Sequence, residues 1–139
     1  MKNLVLVLSL IFSGCMSVNP KYFNSSITAN KEISYLIIAD DMAKFISETL
    51  RPNNTIIYIS TDDIDRGFYD YLTNRLRNLG FGVSDNPDVK NLSFISYRIQ
   101  TQGENVFATY NINESKINRI FIVRNGRLEP TAYTTILKG

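Results

Sequence analysis

Histidine and tryptophan are absent from the 139 residues, and cysteine occurs once, at Cys15. Without histidine, Ser-His-Asp and Cys-His nucleophilic catalysis and His-ligated zinc are excluded; with a single thiol, neither an internal disulfide nor a CxxC redox pair can form. Proline (4) and glycine (7) are too scarce for a collagen-like or low-complexity chain. Neither sign of charge dominates: Lys+Arg 15 against Asp+Glu 13 gives a net charge of +2, which falls by one if Lys2 is lost with a leader. That near-neutral balance lacks the basic footprint of a nucleic-acid binder. No apolar run reaches the ~20 residues that a spanning helix needs. What is present, 44% hydrophobic and 20% charged residues with a mean hydropathy of −0.10, suits one small folded domain and not two.

The N-terminus reads as a secretory leader. Met1-Lys2-Asn3 is a short positive segment, residues 4–12 are apolar apart from Ser9, and the small residues Ser13 and Gly14 precede Cys15. Phe12-Ser13-Gly14-Cys15 resembles the lipobox of bacterial lipoproteins. The resemblance implies cleavage between Gly14 and Cys15, a diacylglycerol thioether on the Cys15 sulfur and acylation of the new N-terminus. Each buried methylene of such chains contributes ~0.8 kcal/mol, so several chains on one residue anchor a protein that has no membrane-spanning segment. Met16 in place of Asp after the lipidated residue implies, under the enterobacterial sorting rule, delivery to the outer membrane.

The organisation expected is a leader over 1–14, lipidated Cys15 with an Asn- and Ser-rich flexible spacer to residue 31, and one domain over 32–139. Within the spacer, Tyr22, Phe23 and Ile27 could instead dock on a partner or on the domain. Tyr35, Ile38, Met42, Phe45, Ile46 and Thr49 recur at helical spacing and predict a first helix over 32–50, closed by Arg51-Pro52. Residues 55–60 predict a strand. Ile64, Phe68, Leu72, Leu76 and Leu79 predict a second helix with its caps among Thr61, Asp62 and Asp63, Asp65 in its first turn, and Gly80 as its stop. A short strand at 81–84 is followed by an antiparallel meander. Ile95, Tyr97 and Ile99 share a face with Val106, Ala108, Tyr110 and Ile112, Asn125-Gly126 marks a hairpin, and Pro130 belongs on an edge or at a bulge. The fold class expected is α+β, a two-layer sandwich with two helices packed on one face of a mostly antiparallel sheet.

Few constellations suggest chemistry. Asp40-Asp41 and Asp62-Asp63-x-Asp65 could bind a cation or act as acid and base, but the first is expected on the solvated face of a helix and the second in a helix cap. Gly80-Phe81-Gly82 follows a helix, so it offers no anion-binding N-terminus. Arg98, Arg119, Arg124 and Arg127 interleaved with Tyr97, Tyr110 and Phe121 could grip a single strand of nucleic acid; edge protection and cross-strand ion pairs are the expected roles. No metal, cofactor, small-molecule substrate or direct nucleic-acid contact is expected, and the chain is expected not to be an enzyme.

The residues from 39 to 133 resemble the TrbH family of conjugal transfer lipoproteins, from mating-pair-formation systems related to type IV secretion. The carriers are the Cys15 lipobox, Ala39-Asp40-Asp41 with Leu50-Arg51-Pro52, the run FYDYLTNRLRNLGF from Phe68 to Phe81, Tyr97-Arg98, and the tail Arg124-Asn125-Gly126-Arg127-Leu128-Glu129-Pro130-Thr131-Ala132-Tyr133. The resemblance implies an outer-membrane lipoprotein facing the periplasm, a non-catalytic accessory subunit whose partners are other envelope subunits and the lipid held through Cys15. Cys15 is the one residue to which it assigns a role. Two other readings stand beside it: a lipoprotein that supports insertion of a β-barrel or of lipopolysaccharide in the outer membrane, and a carboxylate-dependent envelope hydrolase.

Overall fold

A computed structural model gives the structure of residues 25–28, 34–61 and 65–137. The elements run β1 (Ser26–Thr28), α1 (Leu36–Thr49), β2 (Ile56–Ile59), α2 (Arg66–Asn78), β3 (Gly82–Val83), β4 (Leu92–Gln102), β5 (Asn105–Ile112), β6 (Ser115–Arg124) and β7 (Arg127–Leu137). Residues 1–14, over which a leader is expected, and Cys15, Tyr22, Phe23, Asp62, Asp63 and Ile64 lie outside the described residues.

Both helices form where the apolar spacing placed them, with shorter bounds. α1 begins at Leu36 and not at residue 32: Tyr35 has left the helical region at φ −91°, ψ 2°. Its hydroxyl shares a 3.0 Å hydrogen bond with Thr101 Oγ1 on β4. Ile38, Ala39, Met42, Ala43 and Ile46 form the buried stripe of α1, whereas Thr49 is exposed and donates to the Phe45 carbonyl at 2.8 Å. α2 is capped by Asp65, whose carboxylate accepts from Phe68 N at 3.0 Å, so the cap lies two to four residues later than the expected Thr61, Asp62 and Asp63.

The end of α2 shows why Leu79 leaves the core. Gly80, at φ +96°, donates to Arg77 O at 2.9 Å, and Phe81 donates to Leu76 O at 3.1 Å. This paired closure needs a left-handed residue at Gly80 and reverses the chain there. Phe81 is thereby buried beside Leu76, and Leu79, expected inside, is 38% exposed.

The seven-stranded sheet has the order β3-β2-β4-β5-β6-β7, with β1 also paired to β4. The β4 to β7 meander is antiparallel, as expected. β2 pairs in parallel with both β3 and β4, because α2 carries the chain back across the sheet between β2 and β3. Asn113 and Asn125, both at φ 52°, and Gly103 and Gly126, at φ 60° and 72°, supply the left-handed turn positions. The turn after β5 is confined to Asn113-Glu114, and β6 starts at Ser115. Pro130 lies on the terminal strand, where the register against β6 shifts between Ile120 and Phe121; Thr131 Oγ1 there donates to Ile120 O at 2.9 Å.

Part of the stretch read as a spacer is a strand. Ser26, Ile27 and Thr28 pair in parallel with Arg98, Ile99 and Gln100, on the β4 edge that β2 occupies further down at Leu92 to Ile95. β2 ends at Ile59, leaving the rest of that edge with unpaired backbone groups, which β1 covers. Ser25 joins the two segments: its N–H donates to Ser60 O at 2.7 Å, and its buried hydroxyl accepts from Tyr97 N at 3.1 Å. Ile27 packs against the core, so for this residue the docked alternative is the one observed.

Cross-strand register puts Ile95, Tyr97 and Ile99 opposite Ile112, Tyr110 and Ala108, and Tyr110 opposite Ile117 in turn. All are buried in one apolar cluster with Ile57 and Ile59 of β2, Ile38, Met42 and Ile46 of α1, and Phe68, Leu72 and Leu76 of α2.

Candidate functional site

The most polar feature inside the described residues is built on Asp41. One turn after Ile38 and one before Phe45, Asp41 sits at the margin of the buried stripe of α1. Arg119 occupies the alternation Ile117-x-Arg119-x-Phe121 on β6, whose other two members are buried, so its side chain is directed to the apolar side of the sheet. There the guanidinium clasps the carboxylate with two parallel bonds, Nε to Oδ2 and Nη2 to Oδ1, each 2.8 Å. Their side chains are only 14% and 10% exposed. Tyr110 Oη donates to Asp41 Oδ2 at 2.9 Å, and the guanidinium carbon lies 5.3 Å and 5.4 Å from the Phe45 and Phe121 ring centres.

A buried charge pair is tolerated only when each charge is matched and hydrogen-bonded. This one meets that condition with bidentate geometry, a third donor and two ring faces. Burial pushes the Tyr110 phenol far above its ordinary range, and the adjacent Asp41 carboxylate pushes it further, so the tyrosine is a fixed donor at any physiological pH.

Asp40, the neighbouring residue, faces the other helix. Tyr71 Oη donates to Asp40 Oδ1 and Oδ2 at 3.0 and 3.1 Å, and Arg75 Nε stands 2.9 Å from Oδ1. The bond to Asp40 raises the Tyr71 phenol, with partial burial adding to it. The Asp40-Asp41 dipeptide thus ties α1 in two directions, to α2 and to β5 and β6. This corrects its expected place on a solvated face: about half of the Asp40 side chain is covered, and Asp41 is nearly enclosed.

The basic and aromatic stripe is not assembled. Arg119 is buried and paired with a helix, not across strands. Tyr97, Tyr110 and Phe121 are buried on the core side, with Tyr97 against Phe68 at 4.8 Å between ring centres. Arg98 is exposed on the opposite face, whereas Arg124 forms an exposed cross-strand pair with Glu129 at 3.6 Å, in the role expected for it. Arg127 is exposed at the β7 hairpin, and Gly80 to Gly82 stop α2 and open β3. Asp65 is a cap. Gly14 and Cys15 lie outside the described residues, and so do Asp62 and Asp63. No helix among the described residues is long and apolar enough to cross a membrane.

The Asp41–Arg119 pair is partly marked in the amino-acid pattern. Arg119 breaks a period-2 apolar row on β6, and Asp41 flanks the helix stripe; a cation and an anion both displaced toward one core is the signal of a buried pair.

A small α+β domain with its strongest polar groups turned on one another is the class these features define. The chain belongs to the family described as conjugal transfer protein TrbH, which matches residues 19–139. No curated protein and no solved structure matches it.

Proposed function

We propose that the chain is an outer-membrane lipoprotein, held through Cys15 with its domain in the periplasm, that serves as a non-catalytic accessory subunit of a conjugation or type IV secretion apparatus. Membership of the conjugal transfer family over residues 19–139 carries this reading. The leader ending at Cys15 supports the lipid anchor. The internal use of Asp40, Asp41, Tyr71, Arg75, Tyr110 and Arg119 supports a scaffold, since each of these groups is engaged in holding elements together. In this reading both helices cover one face of the sheet, and the partners are other subunits of the transfer apparatus.

Deletion of the gene from the donor cell, with transfer frequency as readout, tests the proposal. The expected result is a lower frequency that is restored by the wild-type chain and restored equally by a conservatively repacked Asp41/Arg119 double variant that folds. An unchanged frequency after deletion sinks the accessory role. Full loss caused by a normally folded Asp40→Asn variant sinks the non-catalytic one.

A further inference from the structure

We propose that β1 is a latch on the membrane tether: docked, it holds the domain close to the bilayer, and released, it lets the domain reach further out. The proposal rests on the lipid-anchor reading of Cys15. Nine residues, 16–24, separate Cys15 from Ser25, where the docked chain joins the sheet. An extended chain covers at most ~3.3–3.6 Å per residue, so the anchor lies within ~35 Å of Ser25. With β1 undocked, the tether runs to the start of α1 and holds eighteen residues, 16–33. Its limit is then ~65 Å. α1 has its own hold on the rest of the fold, through the Tyr35 bond to Thr101 and its buried stripe.

The hold on β1 is small and local. β1 pairs three residues with β4, whereas β5 pairs eight with the same strand. Ser26 and Ile27 are half-buried, and Thr28 is exposed. The firmest attachment is at the anchored end, where Ser25 donates its N–H to Ser60 O at 2.7 Å and accepts from Tyr97 N at 3.1 Å through its hydroxyl. A load on Cys15, carried by residues 16–24, therefore falls first on those two bonds. Segments with few buried contacts open at a free energy well below that of global unfolding. Opening β1 uncovers one stretch of β4 and leaves the pairing of β4 with β2 and β5, and of β5 with β6, untouched. Tether length in turn decides which partners an anchored domain can meet, because the chance of contact vanishes when the tether cannot span the gap.

The test uses the acylated full chain in phospholipid vesicles. Hydrogen exchange over Ser25 to Thr28 should run at least ~100-fold faster than over Ala108 to Ile112 of β5; equal rates overturn the latch. Ser25→Pro removes both the N–H donor and the hydroxyl. With a dye on Lys90→Cys, an exposed position, and acceptor lipids in the vesicle, Ser25→Pro should lower energy transfer to the bilayer, and unchanged transfer overturns the longer reach. Thr28→Cys with Gln100→Cys, two exposed residues paired in register, locks β1 through a disulfide. A strand of purely structural role tolerates that lock, and a latch does not. Transfer frequency from donor cells carrying the locked chain should fall at least ~10-fold against either single-cysteine variant; equal frequencies overturn the proposal. If Ser25→Pro fails to fold, exchange and the lock decide. Mass spectrometry separates the two readings: a chain without acyl groups on Cys15 overturns the anchor and the latch with it, whereas an acylated chain in which β1 exchanges as slowly as β5 overturns the latch alone.

Discussion

Asp41 and Arg119, 78 residues apart in the chain, are joined by two parallel 2.8 Å bonds inside the domain. The pair fixes the middle of α1 against β6, and removing one partner leaves the other charge buried and unmatched. Asp41→Ala is therefore expected to lower stability by ~3–5 kcal/mol, while a double change of Asp41 to Leu and Arg119 to Met should recover most of that loss. Urea unfolding of both single variants and the double variant measures the coupling. Additive losses would show that the pair contributes nothing as a pair.

Tyr110→Phe and Tyr71→Phe remove the same hydroxyl from very different settings. The Tyr110 bond to Asp41 is enclosed, and its loss should cost ~1.5–3 kcal/mol, as for a hydrogen bond to a charged group. Tyr71 shares Asp40 with Arg75 in a pair about half exposed to water, so its loss should stay below ~1 kcal/mol. Equal midpoint shifts in urea would contradict this ranking.

Leu72 is fully buried on α2, whereas Leu79 is 38% exposed behind the Gly80 stop. Leu72→Ala should cost ~2–5 kcal/mol and Leu79→Ala about 0.5 kcal/mol or less. A melting temperature for Leu72→Ala equal to wild type would show that this face of α2 is not packed.

Alkaline pH should unfold the protein through its buried tyrosines. Burial pushes the Tyr97 phenol up to about 12 from the ordinary 10.0, and Tyr110 goes higher. Between these values the unfolded chain has released protons that the folded chain retains, so the unfolded state gains stability as pH rises. The stabilisation from Tyr97 is complete below about pH 10 and lost toward pH 12, on the order of 2–3 kcal/mol. Unfolding midpoints measured at pH 9, 10 and 11 should fall, and Tyr97→Phe should flatten the decline. A flat profile for the wild type would place these phenols in water.

Cys15→Ser should abolish acylation and leave the chain uncut or released from the membrane. Metabolic labelling with a palmitate analogue reads this directly. Label retained by the Ser variant would exclude Cys15 as the anchor.

Period and punctuation carried most of the architecture. The repeats of Phe68, Leu72 and Leu76 and of Ile95, Tyr97 and Ile99 each place one side of an element inward, and Gly80, Asn125-Gly126 and Pro130 stop or bend the chain for reasons local to those residues. The polar interior was half legible: Asp41 and Arg119 each sit beside apolar rows, but a row shows only that a residue faces the core, not which opposite charge waits there. Sorting Asp41 to a solvated face failed because helical spacing describes one helix and is blind to the strands that supply Tyr110 and Arg119.

The sequence by itself determined both helices, the strands after the first, and most of their inward faces and turns, because these depend on contacts within a few residues and on the backbone preferences of Gly, Asn and Pro. It also holds the apolar N-terminal run and the lone Cys15 on which the proposed lipid anchor rests. Only the tertiary structure decided that β2 lies parallel to β3 and β4, and that Ser26–Thr28 completes the β4 edge beyond β2. It also decided that Asp41 meets Arg119. These are choices of partner between distant segments, made by unpaired backbone groups and buried charges that must each find a match, and nothing within the segments themselves names that match.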